Sequence, residues 1–106
     1  MSDFDFFPHL QTLVADAPTD SIISRTFLRN EHVNAILFSF ASGQELSEHT
    51  AAHPAILHFL SGEAQLTLGE QAMRVQAGAW AYMPANLPHS ILAHTPVIML
   101  LLLLKA

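Results

Sequence analysis

From Ser21 onward the chain never runs more than about ten residues without a turn signal, and this cadence restricts the fold more than any other feature. Apolar, β-rich runs occur at Ile22 to Leu28, Val33 to Phe40, Ile56 to Leu60, Ala64 to Leu68, Ala72 to Val75, Trp80 to Met83, His89 to Ala93 and Val97 to Leu104. Between them lie Arg29-Asn30-Glu31-His32, Ser42-Gly43-Gln44, Ser61-Gly62-Glu63, Gly69-Glu70, Ala77-Gly78, Pro84-Ala85-Asn86 and Thr95-Pro96. Glycine, asparagine and proline in these breaks supply the backbone angles that tight turns need. With no helical stretch to cross over between strands, a parallel α/β sheet is excluded, and an antiparallel sandwich or barrel is expected.

Two segments depart from the cadence. Phe6, Phe7, Leu10, Leu13 and Val14 fall at helical spacing, with Pro8 tolerable in a first turn. Residues 1–20 are therefore expected to form a short helix or an extended arm, and 21–106 the β domain. The run Val97 to Leu104 is apolar at every position. Eight residues are far too few for a membrane helix, which needs about 20, so it reads as a strand covered on both faces. A second subunit is expected to supply part of that cover, giving a homodimer through Val97 to Leu104 and the Phe4 to Phe7 segment.

The chain has 106 residues, enough for one domain with a real core, and no cysteine. Disulfides, thiolate metal sites and thiol nucleophiles are thereby excluded. The formal net charge is −5, and the only cations besides histidine are Arg25, Arg29, Arg74 and Lys105. They are too few and too scattered to engage a phosphate backbone, so no nucleic-acid partner is expected. The N-terminal residues lack a basic segment followed by a long apolar one, and a cytoplasmic protein without membrane association is the expectation. No phosphate-cradling glycine loop, Gly-x-Ser-x-Gly elbow or paired carboxylate within a strand pattern appears.

Histidine is where chemistry could reside. There are seven, with His49, His53 and His58 in one ten-residue window and His89 and His94 in another. Neutral imidazole is the commonest protein ligand for transition metals, so such clusters are candidate sites. Strand alternation puts His89, Ile91 and Ala93 on one face, and that face is the more apolar, so His89 points inward and His94 outward. By the same alternation Ala55, Leu57 and Phe59 share a face from which His58 is excluded. His9, His32 and His94 are expected at the surface.

The spacing of these residues resembles the cupin superfamily. Gly43, five residues, His49 and a glycine thirteen residues on, Gly62, match its first motif. Gly78, five residues, Pro84, then Asn86 and His89 match the second, with asparagine where glycine is usual. Asparagine is the best substitute for glycine at positive φ. The resemblance covers about Ile22 to Leu104 and implies an all-β, antiparallel double-sheet jelly-roll barrel with a ligand cavity inside. Metal-binding members usually add a second histidine and a glutamate, but Ala51 and Ala55 stand in those places.

What the resemblance implies is thus a small-molecule-binding or divalent-metal-binding barrel with His49 and His89 as polar anchors. Ala51, Ala55, Leu57, Phe59, Tyr82 and Ile91 would line its cavity. The alternative is a metal-dependent oxygenase or isomerase in which His53 joins His49 and His89 as the third ligand of one divalent ion. Zinc, nickel, manganese, iron and copper are not distinguished by such a set, although iron sites of the two-histidine type also want a carboxylate.

Overall fold

The computed structural model describes residues 3–105. Met1, Ser2 and Ala106, which the sequence reading assigns to the arm and to the end of the barrel, lie outside the described residues. Nine strands follow one another: β1 (Ile22–Arg29), β2 (Val33–Phe40), β3 (Glu45–His49), β4 (Ala55–Ser61), β5 (Glu63–Leu68), β6 (Gln71–Gln76), β7 (Trp80–Met83), β8 (His89–Ala93) and β9 (Val97–Leu104). They form two antiparallel sheets, ordered β1-β2-β9-β4-β7 and β3-β8-β5-β6. The expected double-sheet barrel is the fold. β3 has no counterpart among the expected runs, because Glu45-Leu46-Ser47-Glu48-His49 carries a single aliphatic residue and reads as loop.

Register determines which side chains enter the barrel. Phe40 pairs with Val97, Phe38 with Met99, Phe59 with Met99, Leu57 with Leu101 and Ala55 with Leu103. These residues point inward and meet Ala64, Leu66, Ile91 and Ala93 of the other sheet in one core. Burying each such side chain is worth about 1.5–3 kcal/mol, so the alternation of β4, β8 and β9 holds the sheets together.

The outer face of β9 is also covered, and by the chain itself. Leu37 of β2 and Leu100 of β9 are cross-strand partners on that face, and Val14 packs against them with Leu10 and Leu13 beside it. Phe7 makes an edge-on contact with Phe27, ring centroids 5.0 Å apart. Arg25 extends the attachment by donating to the Leu13 carbonyl at 2.9 Å. Of the short helix or extended arm expected for the N-terminal segment, the structure has the arm, with one turn of 3-10 helix, Leu10–Leu13. Its apolar residues bind to a sheet face, and Pro8 and the short span leave nothing to sustain a longer helix. A second subunit is not needed to cover this part of β9.

What remains open on the same outer face is aromatic. Trp80 and Tyr82 on β7, an edge strand, are 60% and 52% exposed, and Phe4 and Phe6 of the arm are each 74% exposed. Among the described residues no helix is long and apolar enough to cross a membrane.

Candidate functional site

β3 and β8 are antiparallel neighbours, and their register sets His49 directly opposite His89. The pairing is irregular between Leu46 and His49; a bulge of this kind re-aims the residue that follows it. The imidazole rings end 4.1 Å apart between centroids, inclined at 57°. His89 is buried and His49 exposed, so the pair runs from the barrel interior to solvent at the end where β3 finishes and β8 begins.

The loop ahead of His89 is built for this placement. Asn86 sits at φ 69°, the conformation that the motif's usual glycine would adopt, and its N–H donates to the Ala51 carbonyl at 2.8 Å. The Pro88 carbonyl accepts from Gly69 at 2.8 Å. The β7–β8 loop is thereby tied both to the segment after β3 and to the β5–β6 turn.

Each ring spends the same nitrogen on the main-chain carbonyl two residues before it. His49 Nδ1–H donates to the Ser47 carbonyl at 2.7 Å and His89 Nδ1–H to the Leu87 carbonyl at 2.9 Å. A carbonyl can only accept, so Nδ1 carries the proton and the neutral ring presents its lone pair at Nε2. Burial holds the His89 pKa below the ordinary histidine value; the Leu87 hydrogen bond opposes that shift and the neighbouring His49 adds to it. His89 is consequently a neutral acceptor at pH 7.

The other expected site residues separate into three groups. Ala55, Leu57, Phe59 and Ile91 face inward as expected, but each is only 1% exposed and belongs to the packed core. Ala51 lies half-buried in the loop after β3. Tyr82 does not line the interior: it pairs with Ile56 on the outer face, while its neighbours Ala81 and Met83, opposite Leu57 and Ala55, point inward. Large aromatic residues suggest burial, yet the β4–β7 register gives the inner positions to the smaller and more flexible ones.

His53 is exposed, and among the described residues no three histidine, aspartate or glutamate side chains are grouped so as to hold a metal ion. The expected trio of His49, His53 and His89 is not assembled. Protein metal centres of the zinc type use at least three protein ligands, and Ala51 and Ala55 have no donor to give. The chain's own donors at this point are two imidazoles, which do not make up a resident metal centre.

Two sheets closed into a small barrel, with imidazoles from adjacent strands meeting at its mouth, define a jelly-roll barrel. Residues 36–104 match the family model described as the cupin domain, and the chain belongs to the cupin family. Solved structures agree. A conserved protein of unknown function from Streptococcus pyogenes is 30% identical over 99% of this chain and 91% of its own, with a TM-score of 0.84. A cupin superfamily protein from Desulfitobacterium hafniense is 27% identical over 92% of this chain and 88% of its own, TM-score 0.84. A cupin 2 conserved barrel domain protein from Leptotrichia buccalis is 26% identical over 93% of this chain but 47% of its own, TM-score 0.80. No curated protein matches the chain.

Proposed function

We propose that the chain is a small-molecule-binding cupin whose ligand is held at the barrel mouth by Nε2 of His49 and of His89. The observation that carries this reading is the pair itself: two rings in contact, each oriented through Nδ1, each with an acceptor left over. The interior behind them is apolar, with Leu46, Leu68 and Leu103 packed only part-way out of solvent's reach. A neutral ligand with hydroxyl or N–H donors and an apolar body fits such a lining.

A second reading has one observation in its favour. Histidines that ligate metals donate their other ring nitrogen to a carbonyl or carboxylate, as both of these do. A divalent ion could then be shared by the two rings and a ligand that brings its own donors. An oxygenase or isomerase with a permanently bound metal is not supported by a two-imidazole set.

The test is an NMR screen with neutral phenols, alcohols and carboxamides, read on the imidazole signals of protein purified without an affinity tag. Binders that shift the His49 and His89 signals, and that lose affinity in both His49→Ala and His89→Ala, support the first reading. A one-to-one metal content that disappears in those variants supports the second. Neither response in the parent protein refutes both.

We also infer a homodimer through the outer face of β7, where Trp80 and Tyr82 stand exposed next to Ile56 and His58 in register. Light scattering at micromolar concentration checks this, and a monomer there removes the inference.

A further inference from the structure

The two imidazoles at the barrel mouth are alike in more than proximity. His49 and His89 are cross-strand partners in an antiparallel pair, so their side chains leave the same face of the sheet. Each ring donates Nδ1–H to the carbonyl two residues before it, Ser47 for one and Leu87 for the other. Partners in an antiparallel pair are related by a local two-fold axis between the strands, and the matching hydrogen bonds carry that relation approximately into the rings. The two Nε2 atoms are therefore a near-symmetric pair of acceptors. Ring bonds of about 1.33 Å put a ring nitrogen about 1.1 Å from its centroid, so with centroids 4.1 Å apart the two Nε2 are at most about 6 Å from each other.

A single proton cannot serve both acceptors. A hydroxyl has one O–H and a secondary amide one N–H, whereas an NH2 group has two N–H bonds on one nitrogen. At the usual hydrogen-bond length of about 2.9 Å, the two acceptors of one NH2 stand about 5 Å apart, inside the limit set by the rings. His89 is buried, so a ligand that covers the mouth and leaves its Nε2 without a donor strands an acceptor away from water. Charge narrows the choice further. Among the described residues no carboxylate is grouped with the two rings so as to hold a cation, and a cation seated against Leu46 and Leu68 would lack a counter-charge.

We propose, resting on the reading that the pair holds a neutral ligand, that the group it selects is a primary carboxamide. Its NH2 donates one hydrogen to Nε2 of His49 and the other to Nε2 of His89, with the carbonyl turned to solvent on the exposed His49 side.

The probe is benzamide, compared with benzyl alcohol, which has one O–H on a similar apolar body, and binding is read on the imidazole signals. Benzamide should bind about tenfold more tightly than the alcohol and lose about tenfold in His49→Ala and in His89→Ala taken singly. Benzyl alcohol should lose less than about threefold in either, because its proton passes to the ring that remains, and should lose the rest only in His49→Ala/His89→Ala. His49 is exposed, so His49→Ala decides alone if the amide spectrum of His89→Ala shows a disturbed fold. Equal losses for the two probes in the single variants overturn the two-donor assignment and leave the histidine pair as a ligand site. Benzamide without effect where alcohols or phenols bind does the same. No response to any phenol, alcohol or carboxamide removes both this proposal and the reading beneath it.

Discussion

Gly62 offers a sharp test of how the barrel closes. It joins β4 to β5 at φ 87°, and a Cβ placed there would stand 2.1 Å from the Pro96 carbonyl oxygen and 2.9 Å from a methyl of Val97. Gly43 and Gly78 have similar φ, 83° and 97°, but a Cβ on either would meet nothing within 4 Å. The three Gly→Ala variants therefore separate backbone strain from collision. Strain alone costs about 1–2 kcal/mol and should be all that Gly43→Ala and Gly78→Ala show. In Gly62→Ala the collision is with main chain at the entry to β9, where Val97 is 1% exposed and His94 N–H donates to the Glu63 carbonyl at 2.9 Å. Moving that chain by about 1 Å adds an overpacking penalty of about 1–3 kcal/mol, for a total of about 2–5 kcal/mol. At about 5 °C per kcal/mol for a domain this size, Gly62→Ala should melt about 10 °C below the other two variants. Urea unfolding with matched m-values is the assay. If all three variants lose the same stability, the β4–β5 turn yields freely and Pro96 does not brace it.

Other expectations follow from the same geometry. Leu37 is fully buried against Leu100 and Val14, so Leu37→Ala should cost about 2–5 kcal/mol in urea unfolding. His89 has a lowered pKa in the folded protein, so the unfolded chain takes up its proton first as pH falls below the ordinary histidine value. Its contribution to stability should be present above that value and decline as pH drops toward the folded pKa; an NMR titration midpoint at or above the ordinary value would refute this. Val14→Asp should free the arm, seen as faster amide exchange at residues 10–14, while β3 and β8 stay protected. Slowed exchange, or equal loosening throughout, would mean that the arm is not a separate unit.

Much of this architecture is legible in the residues. The turns between apolar runs mark eight of nine strands, and the alternation in β8 places His89 inward. That Asn86 takes positive φ follows from its place in the second motif, and the structure has it at 69°. Three features are not legible, each for a physical reason. Glu45–His49 is a strand because β8 lies alongside it, with little β preference of its own. Tyr82 looks like an interior residue until the pairing of Ala55 with Met83 reveals which parity faces in; a shift of one residue inverts every side chain of a strand. The hollow of about 430 Å³ beneath the arm brings Asp16 and Asp20 together with Ser39 and Val97, which meet only after the sheets have formed.

The position of β9 bears on how the protein can be made. It is the last of the nine strands in sequence, yet it lies in the middle of its sheet, between β2 and β4. Until residues 97–104 emerge during synthesis, β2 and β4 have no partner on the sides they later share, and their apolar inner faces lack Met99 and Leu101. Unpaired strand edges of this kind invite association with other chains. Nascent chains stalled before Val97 should thus be the aggregation-prone species, and folding should proceed as a single late event in which one insertion completes both halves of the sheet.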